Sequence, residues 1–161
     1  MASSSLVLAQ AADLYGALWP QAVGVLVGER NPTGEGAFPR STRAGSWLRS
    51  ALDDLGQPPL AIGNLWVPTV RWEDGEPEFR LNVELLALLR LTQGRALERV
   101  QVVALGRDVS QALTAQGIAH LTVCHPSWHR RFRKTEGVTG YARRLASALR
   151  LPAPKEEVVR E

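Results

Sequence analysis

The chemistry in this chain gathers at His125-Pro126-Ser127, where an apolar run over residues 118–124 stops abruptly. Pro126 has no N–H to donate, so ladder pairing cannot continue through it. A buried strand ending here leaves an imidazole at the carboxyl edge of a sheet, the edge at which open α/β sheets bind ligands. An imidazole N–H in that place can hydrogen-bond to an oxygen that gains negative charge as a bond breaks. Ser127 can bind a phosphate or cap a turn. The residues that follow, Trp128, His129, Arg130, Arg131, Phe132, Arg133 and Lys134, read as an aromatic and cationic loop suited to a nucleic acid or nucleotide.

Two other strand ends carry matching pieces. The first is a glycine-rich stretch, Gly28-Glu29-Arg30-Asn31-Pro32-Thr33, running on to Phe38-Pro39. Gly28 lets backbone approach a ligand closely. Glu29 and Asn31 can each orient a water, and Glu29 can also act as a base. Phe38 can stack on a flat ring. The stretch is not a P-loop, because no Gly-Lys-Ser/Thr follows, and it is not a dinucleotide fingerprint. The second piece is Asn64. Its carboxamide offers a donor and an acceptor, which suits the N3–H and O4 edge of a uracil-like base, although asparagine at a strand end also ties down turns. Cys124 reads as an inert buried residue.

The elements that must position these groups follow from hydrophobic spacing and breakers. A helix is predicted over residues 6–19, ended by Pro20, followed by a strand over 22–27 and a Gly/Pro-rich loop over 28–42. A helix over 44–55, closed by Gly56 and Pro58-Pro59, leads to a strand over 60–65. Residues 67–79 form a polar connection with an exposed turn at 73–77. Then come a helix over 81–97, a strand over 100–105, a helix over 109–116, a strand over 118–124 and, after the basic loop, a helix over 138–149. Alternation of this kind predicts an α/β fold, a three-layer α/β/α sandwich around a four-stranded parallel sheet. A single domain over residues 1–151 is expected, with a flexible tail over 152–161.

The 161-residue length suits one core, and the lone cysteine excludes both an internal disulfide and a four-cysteine metal site within the chain. With only three histidines, no metal site is expected. A start without a cationic n-region argues against a signal peptide, and no apolar run approaches the roughly 20 residues that span a bilayer, so a cytoplasmic location is expected. The net charge of +3 is mild, but Arg130, Arg131, Arg133, Lys134, Arg143, Arg144 and Arg150 face only Glu136 in their segment. Arg30, Arg40, Arg43 and Arg49 surround the first glycine-rich stretch. Clustered cations of this kind suit phosphate contacts, or a solvated basic face.

Taken in order, the Asn-Pro glycine-rich loop, the strand-end Asn64 and His125-Pro126-Ser127 resemble the uracil-DNA glycosylase superfamily. Arg43-Ala44-Gly45-Ser46-Trp47-Leu48 is similar to an Arg-x-Gly-x-x-Leu stretch in several of its branches, and Ala104-Leu105-Gly106-Arg107 also fits. The resemblance covers residues 23–149 and implies a monofunctional DNA glycosylase, acting as a monomer on DNA without cofactor or metal. It implies that His125 stabilises the uracil O2 anion, Asn64 reads the pyrimidine and Phe38 stacks on it. Either Asn31, as in the Asp-Pro and Asn-Pro branches, or Glu29, as in the Gly-Glu-x-Pro branches, positions the water. Gly28 and backbone near Pro32 would line the site. Thr33 stands where related enzymes have Tyr or Gly, which leaves 5-modified pyrimidines open. Ser127, Arg43 and the segment from Trp128 to Lys134, including His129, Arg130, Arg131 and Arg133, would contact DNA. One extra residue between Gly28 and Pro32 departs from the family pattern and keeps two alternatives in view: a non-catalytic nucleic-acid-binding protein, or an enzyme of free or hypermodified pyrimidine nucleotides.

Overall fold

The computed structural model describes residues 12–15, 22–30, 37–68, 78–90, 100–152 and 154. Its elements are β1 (Ala12–Tyr15), β2 (Gly24–Arg30), α1 (Arg43–Asp54), β3 (Leu60–Pro68), β4 (Phe79–Leu81), α2 (Val83–Arg90), β5 (Gln101–Leu105), α3 (Arg107–Ala115), β6 (Leu121–Val123), α4 (Pro126–Phe132) and α5 (Gly137–Leu149). The fold is α/β, as predicted.

The four expected parallel strands are present in the order β3-β2-β5-β6, but they are not the whole sheet. Among the described residues the sheet is six-stranded and mixed. β1 runs antiparallel along the first half of β3, and β4 folds back antiparallel along its last residues. β1 falls where helical spacing predicts a helix, most of which lies outside the described residues. Pairing of Ala12 with Gly63 and Tyr15 with Leu60 fills the open edge of β3, a tertiary demand that overrides a local periodicity. β3 likewise runs past its predicted end, because Trp66 and Val67 find partners in Leu81 and Arg80. The predicted turn at 73–77 and the end of the predicted helix over 81–97 lie outside the described residues.

Helices cover both faces of the parallel strands. Val25, Val27, Ala61, Leu65, Val102 and Ala104 point to one face, against Leu85, Leu89, Val109 and Leu113 of α2 and α3. Leu26, Leu60, Ile62, Val103 and Leu105 point to the other, against Leu48 and Leu52 of α1 and Tyr141, Leu145 and Leu149 of α5. Burial on both faces is why these strands read as unbroken apolar runs rather than alternating ones.

Two predictions near the carboxyl edge are corrected. β6 holds only Leu121–Val123. Ile118, predicted as strand, instead closes α3: Gly117 takes a left-handed φ of 72° and the Ile118 N–H bonds to the Leu113 carbonyl. The basic loop is the helix α4. Pro126, read as a strand stop, serves as its first residue, where a fixed φ and a missing N–H are no handicap. At the far end, Leu151 packs against the core on the α1–α5 side, Pro152 is exposed and Pro154 is buried; most of the predicted tail, residue 153 and residues 155–161, lies outside the described set.

From β2 the chain steps to β3 on one side, then returns to β5 on the other side of β2. The carboxyl ends of β2 and β5 therefore flank a topological switch point, where such sheets open a crevice.

Candidate active site

The parallel register sets Gly28 of β2 beside Asn64 of β3. Phe38 lies across Gly28: a β-carbon there would overlap the Phe38 ring and sit 2.9 Å from Asn64 Nδ2. Phe38 is buried and held at a left-handed φ of 49°. Arg49 of α1 restrains this backbone, donating from Nε to the Phe38 carbonyl (3.0 Å) and from Nη2 to that of Ala37 (2.7 Å). Thr42 caps α1 by accepting from the Gly45 N–H and donates to the Pro39 carbonyl, each at 3.0 Å. Gly45 is required for this packing. A β-carbon on it would overlap the Pro39 carbonyl and come within 2.7 Å of both Phe38 backbone and Thr42 Oγ1. The Arg43-Ala44-Gly45 stretch thus has a local purpose, which is to let the Phe38 turn settle on the first turn of α1.

Asn64 is buried, and among the described residues its Oδ1 has no hydrogen-bond partner. Its carbonyl accepts from Asn82 Nδ2 (3.0 Å), while Asn82 Oδ1 accepts from the Leu85 N–H at the start of α2 (3.1 Å). Asn82 is a positioning residue that sequence reasoning missed. Its signal was an asparagine one residue ahead of a helical run.

His125 is the N-cap of α4, and its Nδ1 accepts from the Ser127 N–H at 3.1 Å. Nδ1 is therefore bare, and a neutral ring carries its proton on Nε2. Burial lowers the imidazole pKa below its ordinary value, favouring that neutral form. The ring stands 5.8 Å from that of Phe38, centre to centre. Tyr141, fully buried on α5, donates its O–H to the Cys124 carbonyl (2.8 Å) and so pins the residue before His125. Burial drives that phenol's pKa well up, so it stays a donor. Cys124, expected to be buried, is only half-buried, and desolvation raises its thiol pKa.

Among the described residues His125 borders a smaller and a larger cleft. One, of about 220 Å³, lies at the switch point between Glu29, Leu105, Gly106, Arg107, Asp108 and Val109. The other, of about 610 Å³, is lined by Gly106, Arg107, Ser110, Gln111, Thr122, Cys124 and Trp128. Glu29 is half-buried in β2, so it belongs to the strand rather than to a loop, and it shares the smaller cleft with His125. By strand alternation Glu29 faces away from Phe38 and Asn64. The structure thus brings together Gly28, Phe38, Asn64 and His125, with Glu29 on the opposite side of the sheet edge. Asn31, Pro32 and Thr33 lie outside the described residues.

The predicted DNA contacts divide. His129 departs from the expected contact set: it is completely buried. Its Nδ1 accepts from Trp47 Nε1 (3.1 Å), and its Nε2 bonds to Glu136 Oε1 (3.0 Å). An indole N–H only donates, so the His129 proton sits on Nε2 and is given to Glu136. Glu136 also receives two bonds from Arg144, at 3.0 and 2.8 Å. Arg144 first, then His129, lower its carboxyl pKa to about 2. His129 therefore joins α1, α4 and α5. The other face of α4 is open: Trp128 and Phe132 are 42% and 60% exposed. Their rings lie 5.5 Å apart, with the Arg133 guanidinium 5.3 Å from the Trp128 ring and that of Arg131 5.9 Å from Phe132. Lys134 is exposed beside them. Arg43 and Arg130 line a separate cleft of about 390 Å³ with Ser46, Trp47 and Ser50, and among the described residues the buried Arg130 Nε has no partner. Ser127 is half-buried and acts on the site through its backbone N–H.

Among the described residues no group of three His, Cys, Asp or Glu side chains could hold a metal ion, and no helix is long and apolar enough to cross a membrane. No protein-family model matches the chain, and no curated protein matches it.

Proposed function

We propose that this chain is a DNA N-glycosylase that hydrolyses the glycosidic bond of uracil or a related deaminated or damaged base, on a fold of the uracil-DNA glycosylase kind. The observation that carries the reading is the convergence of Phe38, Asn64 and His125, from three separate segments, at one sheet edge. The flat ring of an extruded base would lie against Phe38, and its imide edge would meet the Asn64 carboxamide, whose Oδ1 lacks a partner among the described residues. The Nε2–H of His125 would donate to the oxygen that becomes anionic as the bond breaks. Glu29 or Asn31 would hold the water that captures the sugar cation. Trp128, Phe132, Arg131 and Arg133 would meet the DNA, taking the base's place in the stack and contacting phosphates. The enzyme would act as a cytoplasmic monomer.

The exposed aromatic–cationic face of α4 supports a second reading, a nucleic-acid-binding protein without catalysis. One assay separates the two. Labelled oligonucleotides carrying a single uracil, hypoxanthine, xanthine or 5-hydroxymethyluracil, single-stranded or paired, are incubated with the chain and cleaved with alkali. The proposal expects a product that disappears with His125→Ala. Absence of product from every substrate, with salt-sensitive binding intact, would overturn it in favour of the binding protein.

A further inference from the structure

The proposed glycosylase chemistry leaves unused a second histidine, bonded to a serine that lines the larger cleft. His120 Nδ1 lies 2.8 Å from the Ile118 carbonyl, and its Nε2 lies 2.8 Å from Ser110 Oγ. A carbonyl only accepts, so Nδ1 carries the proton and Nε2 is bare in the neutral ring. The Ser110 hydroxyl must then donate to His120. Thr122 Oγ1 donates in turn to Ser110 Oγ at 2.9 Å, which orients the serine oxygen and leaves one of its lone pairs open. A hydroxyl bonded to a base, with the base fixed by a third group, is the arrangement that activates a serine nucleophile. Ser110 and Thr122 both line the cleft of about 610 Å³. Arg107, one turn before Ser110 on α3, lines it too and supplies N–H donors for a developing oxyanion.

We infer that Ser110 and His120 are a nucleophile–base pair that cleaves small carboxylic esters bearing an anionic group, independently of the glycosylase reading. Ser110 Oγ bonds to the acyl carbon while its proton passes to His120 Nε2. The bond from the acyl carbon to the alcohol oxygen then breaks, and the departing alcohol takes that proton. Water attacks the acyl-serine, giving one proton to His120, and the carboxylic acid leaves as Ser110 recovers its hydrogen. Arg107 selects the anionic group and steadies the oxyanion.

The test uses the full chain with a fluorophosphonate probe, mapping adducts by mass spectrometry, and with p-nitrophenyl acetate and p-nitrophenyl hemisuccinate as substrates. The expected adduct is on Ser110, and hemisuccinate is hydrolysed faster than acetate. Ser110→Ala and His120→Gln should each slow hydrolysis by about 100-fold or more, the low end of what a positioned general base contributes. Ser147→Ala, an exposed serine on α5, should label and hydrolyse as the parent does. To exclude misfolding, Ser110→Cys is treated with iodoacetamide. Position 110 should be alkylated ahead of Cys124, because His120 draws the thiol proton. An adduct elsewhere, equal hydrolysis by Ser110→Ala, or alkylation of Cys124 first would overturn the inference and leave the trio as a clasp between α3 and β6.

Discussion

His125 can donate from Nε2 and accept at Nδ1 only while its ring is neutral. Protonation would set a second N–H against that of Ser127 and undo the cap. Because burial lowers its pKa below the ordinary 6.5, the proposed excision should stay level as pH falls to 6.5 and fail only below it. Initial rates between about pH 5 and about pH 8 check this, and a decline that begins above pH 7 would contradict it. The same shift bears on stability. The folded-state pKa is the lower one, so His125's contribution is complete above 6.5 and is lost as pH falls through that value toward the folded pKa. At neutral pH, His125→Ala should lower the excision rate by about 10²–10³-fold, the effect of removing one oxyanion donor. Gly28→Ala tests the opposite wall. Its methyl group must expel the Phe38 ring, which should abolish base recognition and cost about 1–3 kcal/mol of stability through overpacking, read by excision kinetics and a urea melt. Phe38, Asn64 and His125 were legible because each is an unusual residue type beside a strand end or glycine turn. The burial of His129 was not legible, because it depends on which face of a helix the residue occupies, and the local sequence does not mark that helix.

At the scale of elements, α1, α4 and α5 meet through Trp47, His129, Glu136 and Tyr141, and this junction fixes the helix that His125 caps. His129→Ala removes a fully buried ring and two hydrogen bonds, so a loss of about 3 kcal/mol is expected in chemical denaturation. Glu136 adds an acid-sensitive component. Its carboxyl pKa is lowered from 4.5 to about 2, so the stabilisation it gives is complete above 4.5 and drains away as pH falls toward 2. Glu136→Gln should lower Tm at neutral pH and flatten its fall between pH 4.5 and about 2; Tm measured across this range decides it. The helices α1 and α5 were legible from their apolar spacing. α4 was not, because a proline can end a strand or begin a helix, and only the His125 cap settles which. The exposed face of α4 gives its own expectation: Trp128→Ala should weaken single-stranded oligonucleotide binding by about 1–3 kcal/mol, measured by fluorescence anisotropy.

For the whole molecule, the sequence made the α/β class and the parallel core visible, since runs such as Val25-Leu26-Val27 and Val102-Val103-Ala104 leave no polar face for solvent. β1 and β4 escaped notice because a short antiparallel strand is defined by the edge it covers, here the outer edge of β3, and that edge exists only in the folded sheet. The switch point was likewise invisible until strand order was known. Strand order also governs when the site can come into being. Gly28 and Asn64 can meet once β2 and β3 have zipped together, but His125 arrives after β5 and β6 are laid down, and Tyr141, which anchors the backbone just before it, arrives later still. A chain growing from the ribosome therefore carries an incomplete pocket for almost all of its synthesis. The backbone that carries the imidazole gains its Tyr141 anchor only when the last helix docks.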